Sequence, residues 1–438
     1  MTGKLSILAG VLYLLGVGCA VHPTAAGRRH AGVQEFPRAD ADLPRLTEES
    51  TLRDYEQYAA INSPAVRSAF HRWQAARQRV PQAGALPEPK LSLRYYYQEV
   101  ETRVGPQKYA GGLSQMFPWF GTLDLRAGAA ADVARAEQQR FHAAELDVAA
   151  RVREAYAEYY YLSRAIAVVR ENRALLEQIE RVARARYRSA GAANRNVIRA
   201  QVELGKLEDR LQALLDLRGA SAARLNAALG RPAETATPWP EGLPAPELNA
   251  DDEQVLDLLA ETNPDLAALE HEAERHEKRI ELARKMYYPD FTVGGTYIET
   301  LGGKDPIIAN VGLTLPIWFG KYRAAEREAR HALRATRKKR ADRVNRLSAR
   351  AKKALYDFRD AQRKVKLYRD TLIPKAKQAL KTTQTDYAGG KASFNDILDA
   401  ERVLLDFQLS YHRALADRVA THAKLEELVG RSLGGTEE

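Results

Sequence analysis

Leu113-Ser114-Gln115-Met116-Phe117-Pro118-Trp119-Phe120-Gly121 and Leu313-Thr314-Leu315-Pro316-Ile317-Trp318-Phe319-Gly320 decide the fold: each is an apolar, strand-like run that ends on Trp-Phe-Gly, and they stand about 200 residues apart. Further correspondences extend on both sides. Asn62-Ser63-Pro64 is answered by Asn263-Pro264, each placing a proline where a helix can begin. Pro89-Lys90-Leu91 is answered by Pro289-Asp290-Phe291; Tyr187, Ile198 and Ala200 by Tyr387, Leu398 and Ala400; Leu229-Gly230 by Val429-Gly430. Matches that keep one register over this span indicate an internal duplication. Each copy reads helix, strand pair, long helix, tight turn, helix. The copies are expected at 53–230 and 263–430, joined by a proline-bearing linker at 231–262 and followed by a polar tail at 431–438.

Only one cysteine occurs in 438 residues, Gly and Pro are sparse between 122 and 230, and Ala, Leu, Glu, Arg and Lys fill the middle of each copy. That mixture belongs to long helices. The net charge of +10 is dispersed among acids, as in Arg170-Glu171-Asn172-Arg173, which describes solvated helix faces and argues against a nucleic-acid partner.

Lys4 precedes an apolar run from Leu5 to Val17, the length of a signal-peptide core and too short for a comfortable membrane-spanning helix. It ends at Gly18-Cys19-Ala20, which reads as a signal peptide at 1–18 followed by a lipid-bearing Cys19. Gly16 stands where a lipobox usually has leucine, and an ordinary signal cut near Ala25-Ala26 is the alternative. Residues 19–52, with Pro23, Pro37 and Pro44, read as an extended tether.

Two strand pairs are expected, within 91–118 and 291–317, each strand about ten residues long. That is what a tilted strand needs to cross a bilayer. Leu91, Leu93, Tyr95 and Tyr97 alternate with Ser92, Arg94 and Tyr96, giving one more apolar face. Four strands cannot close a barrel, and unpaired edges are not tolerated in lipid, so membrane strands here require several chains to share one barrel; three would give twelve strands. Two soluble hairpins packed on helices remain the alternative. Trp119 and Trp318 end the strand pairs, where either a membrane interface or plain packing would use them.

From Thr122 to Arg188 there is no proline, and Val152, Tyr156, Tyr159, Ile166, Val169, Leu176 and Ile179 recur at helical spacing. A counterpart runs from Lys321 to Tyr387, with Pro374 as a kink or break. Each long helix ends in a tight turn. In the second copy Gly389 and Gly390 can supply the C-cap, Lys391 follows, and Ser393 or Asn395 can cap the returning helix; in the first, Gly191 and Asn194 can do the same. Asp396 and Asp399 lie on one face of the returning helix, either as helix-start acids or, repeated around an axis, as a cation-favouring constriction.

These residues resemble the TolC-like outer membrane efflux proteins. The similarity runs from Asn62 to Gly430 and is sharpest in the duplicated plan, in Leu372-Ile373-Pro374-Lys375-Ala376, and in the stretch from Tyr387 to Ala400. The resemblance implies a mainly α fold with a small transmembrane β part: a homotrimer with a twelve-stranded barrel in the outer membrane of a Gram-negative bacterium and a long α-helical barrel in the periplasm. It implies a passive, non-enzymatic efflux duct, lipid-anchored at Cys19. Asp396, Asp399 and Tyr387 would form its periplasmic gate, and Gly191, Asn194, Gly389, Gly390 and Lys391 would be the hairpin tips that meet an adaptor. The partners implied are a periplasmic adaptor, an inner-membrane pump driven by protons, and outer-membrane lipid. No cofactor, metal site or catalytic set is called for. The first copy departs from the gate pattern, with Asn196 and Arg199 where the second has Asp396 and Asp399. A protein-secretion duct and a soluble envelope coiled coil are the competing readings.

Overall fold

The computed structural model describes residues 43–189 and 193–434; Cys19 and Gly191 lie outside them. The elements run α1 (Leu52–Asn62), α2 (Pro64–Gly84), β1 (Lys90–Val100), β2 (Gln107–Phe117), α3 (Thr122–Arg188) and α4 (Asn194–Ala228). They continue as α5 (Asp252–Thr262), α6 (Pro264–Lys285), β3 (Asp290–Thr300), β4 (Ile307–Thr314), α7 (Phe319–Leu367), a π turn (Tyr368–Leu372), α8 (Ile373–Ala388) and α9 (Phe394–Val429). Among the described residues no helix is long and apolar enough to cross a membrane.

The duplication extends to its smallest joints. Ahead of α1 the Asp54 carboxylate accepts from the Thr51 N–H at 2.7 Å, and ahead of α5 the Gln254 side chain accepts from the Asp251 N–H at 3.1 Å. The same reciprocal cap thus starts both copies. The helix at 252–262 falls in the stretch expected to be linker, and it is the counterpart of α1. Each copy also closes on a clasp. Asn62 donates to the carbonyls of Leu229 and Gly230, both at 3.0 Å, while Thr262 and Asn263 donate to those of Val429 at 2.7 Å and Leu428 at 2.8 Å. Gly230 and Gly430 end the chain's return in the left-handed region, at φ 71° and 95°.

The copies are not the compact units. One unit takes 71–138 and 268–340, which holds the sheet and the helix ends attached to it; the other takes the described residues of 35–70, 139–267 and 341–438. Each unit therefore draws on both copies. In the first, Ala76 and Val80 of α2 pack on Ala127, Ala131 and Ala134 of α3. Small side chains allow that close approach, and Asp132, fully buried, is neutralised by Arg135 and by Lys278 at 2.6 Å. In the second, all seven residues of the α3 stripe named above are at most 5 % exposed. Val152, Tyr156 and Tyr159 pack on Tyr55 and Leu225, whereas Ile166, Val169, Leu176 and Ile179 join a cluster with residues of α4, α8 and α9.

The α3 helix is unbroken over 67 residues. Its acidic Asp124 lies in the first turn and its basic Arg186 and Arg188 in the last, as the helix dipole favours. In the second copy Pro374 neither breaks nor ends the helix. It sits at the start of α8, just after the π turn, where its missing N–H is accommodated by the widened turn.

The sheet order is β1-β2-β3-β4, every pair antiparallel. Strand β4 ends at Thr314, three residues short of the expectation at 317. Pro316 has no N–H to give a ladder, and the Ile317 N–H turns back to the Leu315 carbonyl at 3.0 Å.

Candidate functional site: a two-faced sheet and paired hairpins

The strand register sorts side chains onto two faces. Leu91↔Leu113, Leu93↔Gly111 and Tyr95↔Tyr109 share a face with Phe291↔Leu313, Val293↔Val311, Gly295↔Ala309 and Tyr297↔Ile307. That face is almost wholly apolar, yet Leu93 is 81 % exposed, Ile307 78 % and Val311 77 %. The opposite face carries Ser92↔Gly112 and Arg94↔Ala110, then Thr292↔Gly312, Gly294↔Asn310 and Thr296↔Ile308. Period-two alternation with apolar residues left bare is the pattern of strands between lipid and water. The outer edges of β1 and β4 pair with nothing among the described residues.

The two tryptophans part company. Trp119 stacks between Tyr288 and Phe291, with ring centroids at 4.9 and 5.6 Å, and its N–H donates to Asp290 at 2.9 Å. Trp318 is 68 % exposed beside exposed Leu315, Ile317 and Phe319. The first takes the packing role and the second has the exposure of an interfacial anchor.

At the other end of α3 and α8, the two hairpins pack on each other. Tyr387, Phe394, Ile397 and Leu398 are buried in one cluster with Ala183, Val197 and Ala200. Arg186 donates to the Tyr387 carbonyl and lies over its ring at 4.6 Å, Arg199 donates to the Asn395 side chain, and Arg402 returns the link by donating to Glu203 at 2.6 Å. Each hairpin thus holds the other with arginines.

The remaining tip residues are placed as follows. Gly390 takes the left-handed conformation (φ 77°), while Gly389 stays right-handed. Lys391 is exposed, and its N–H donates to the Asp386 carbonyl at 2.8 Å. Ser393 is the N-cap of α9: its hydroxyl accepts from the Asp396 N–H at 3.3 Å, and the Asp396 carboxylate accepts from the Ser393 N–H at 2.7 Å. Asp396 therefore does the work of a helix-start acid, and Asp399, 69 % exposed, pairs with Arg402 at 3.1 Å. In the first copy Asn194 is already the first helical residue; the cap position falls to Ala193, which offers no side-chain oxygen. Tyr187 is exposed where Tyr387 is buried.

Sequence reasoning missed Glu401. It is 2 % exposed, one of its carboxylate oxygens has no hydrogen-bond partner among the described residues, and burial followed by the charge of Glu203 pushes its carboxyl up to about 7. The signal was present, since Glu401 sits on the apolar side of α9 between Leu398 and Leu404. Among the described residues no three His, Cys, Asp or Glu side chains converge on a metal position.

Residues 255–431 match the family described as outer membrane efflux protein. Over 189 residues the chain is 25 % identical to the cobalt-zinc-cadmium resistance protein CzcC of Cupriavidus metallidurans, a match spanning 43 % of each protein. The fold is shared with the outer membrane protein VceC of Vibrio cholerae, at a TM-score of 0.72 and 19 % identity over 87 % of this chain and 96 % of that one. It is shared equally with CusC, a transmembrane channel, at 0.77 and 14 % over 92 % and 99 %.

Proposed function

We propose, since this chain is a TolC-like outer membrane efflux protein, that three copies of it form the exit duct of a tripartite efflux system. The observation that carries this reading is the sheet. A face of bare Leu, Val, Ile and Tyr, a face of Ser, Thr, Asn and Gly, and two open edges are satisfied together when three four-stranded sheets join edge to edge into a twelve-stranded barrel. Its apolar face then meets lipid and its polar face lines water.

In this reading the protein performs no chemistry. It supplies a polar path through the outer membrane, and an inner-membrane, proton-driven pump delivers cargo through a periplasmic adaptor. The tips that meet the adaptor are Gly191, Asn194, Gly389, Gly390 and Lys391. The gate is the hairpin pair: Tyr387 buried in its base, Asp396 and Asp399 exposed on its returning helix, and arginine links that must break for the hairpins to part. Cys19 carries the lipid that fastens the chain to the membrane. The cargo is small solutes such as metal ions or drugs. A protein-secretion duct would need the same architecture with an ATP-driven partner.

Full-length protein in a planar bilayer tests this. Discrete channels from a detergent-stable trimer support it, with larger currents from the Asp396→Ala, Asp399→Ala variant. A protein that stays in solution without detergent and passes no current is instead an envelope coiled coil.

A further inference from the structure

At the foot of the sheet, where β3 and β4 meet the helices, lies a cavity of about 420 Å3. Asp290 and Thr314 line it, and these two are partners at the end of the polar face, so the cavity opens on the side that the duct reading assigns to water. Its volume is that of a small-molecule site.

The charge around it is lopsided. Arg126, Arg279 and Lys285 line the cavity and make no ion pair among the described residues. Two acids oppose them, Glu328 and Asp290, which leaves one positive charge in excess. Further along the same face Lys90 and Arg94 are exposed, again without an ion-pair partner among the described residues. The wall that α7 gives the cavity, Tyr322, Ala325, Glu328, Ala329 and Ala332, adds no cation, so the excess comes from α3 and α6.

We infer that the membrane-level lumen of this duct selects anions, its cargo class being small anionic solutes in preference to bare metal cations. This rests on the duct reading and gives it a substrate class. In a closed barrel of three chains the cations of each copy recur around one axis. Rings of Arg and Lys raise the local concentration of anions and repel cations. The cavity's apolar wall of Leu282, Ala283 and Met286, with Tyr288 beside Lys285, suits an anion that carries a hydrophobic body. A hydrated divalent cation gains nothing from such a wall and is opposed by the arginines.

The test is the reversal potential of the full-length protein in planar bilayers under a potassium chloride gradient. The Asp396→Ala, Asp399→Ala background is used so that the hairpin acids do not set the selectivity. A chloride-to-potassium permeability ratio above one is expected. It should fall below one in Lys90→Glu plus Arg94→Glu, and move toward one in Arg126→Gln plus Arg279→Gln, a separate pair on the helices in case the strand variant does not insert. A ratio at or below one before any lumen substitution, or one that neither pair moves, overturns the inference and leaves the duct intact. Absence of any conductance overturns both.

Discussion

Arg186 and Tyr387, 201 positions apart in the chain, meet twice: the guanidinium donates to the tyrosine's backbone carbonyl and lies 4.6 Å from the centre of its ring. A charged donor on a carbonyl and a cation over an aromatic face together hold one hairpin against the other. Arg186→Ala removes both contacts and leaves the buried Tyr387 ring without its cover. Single-channel conductance should rise severalfold, and protease cleavage at the hairpins should quicken. Lys391→Ala, which removes an exposed cation whose side chain makes no ion pair among the described residues, should leave both unchanged.

Glu401 makes the hairpin base sensitive to pH. Its carboxyl sits at about 7 in the folded chain against an ordinary 4.5, with burial as the first cause and Glu203 as the second. The folded state therefore holds a proton that the unfolded state has released between those values, and stability falls as pH rises through that window. The full loss is roughly 3 kcal/mol, present above the folded value and absent below 4.5. Melting profiles of wild type and Glu401→Gln should coincide near pH 4 and separate by pH 8, the variant being the more stable. Profiles that stay parallel across the range would show that Glu401 carries no such load.

Substitution on the sheet reports directly on its two faces. Leu93→Arg puts a charge where lipid is expected, at a cost of about 2–4 kcal/mol near the bilayer centre. It should abolish recovery of the protein from the outer-membrane fraction. Ser92→Arg, one residue away on the other face, should insert normally. Equal behaviour of the two variants would count against a membrane sheet.

The clasps at the ends of the copies are the stability hinge of the second unit. A Cβ on Gly430 would stand 2.5 Å from the Thr262 carbonyl oxygen, and the backbone there has φ 95°. Gly430→Ala should therefore lower the melting temperature, and so should Asn263→Ala, which strands the buried Leu428 carbonyl and the Leu266 N–H at about 1–3 kcal/mol each. Thermal unfolding of the two variants is the measurement, and an unchanged melting temperature in either would count against the clasp.

Much of this was legible because it is periodic or repeated. The α3 stripe follows from spacing alone, and the strand pairs from alternation between turn residues. Partnerships between distant positions left no such trace. No local rule pairs Arg186 with Tyr387 or Arg402 with Glu203, because register between hairpins is set by the packing of Ile397 and Leu398 on Val197 and Ala200. Nor does a sequence match tell twins apart: Trp119 and Trp318 align, yet one is stacked on Tyr288 and the other bare. The interleaving of both copies in each compact unit is likewise a property of how long helices return, invisible in the order of elements.

The π turn at Tyr368–Leu372 records an event in the history of the chain. Before it, buried Tyr159 and Ile166 correspond to buried Phe358 and Val365 at an offset of 199; after it, Leu176 and Tyr187 correspond to Ala376 and Tyr387 at 200. The second copy has gained one residue between these points, and a π turn is the form in which a helix holds one residue too many. Without that swelling, every side chain beyond it would have rotated by about 100°, turning Tyr387 out of the cluster and away from Arg186. The insertion was absorbed within five residues, and the mating of the hairpins survived it.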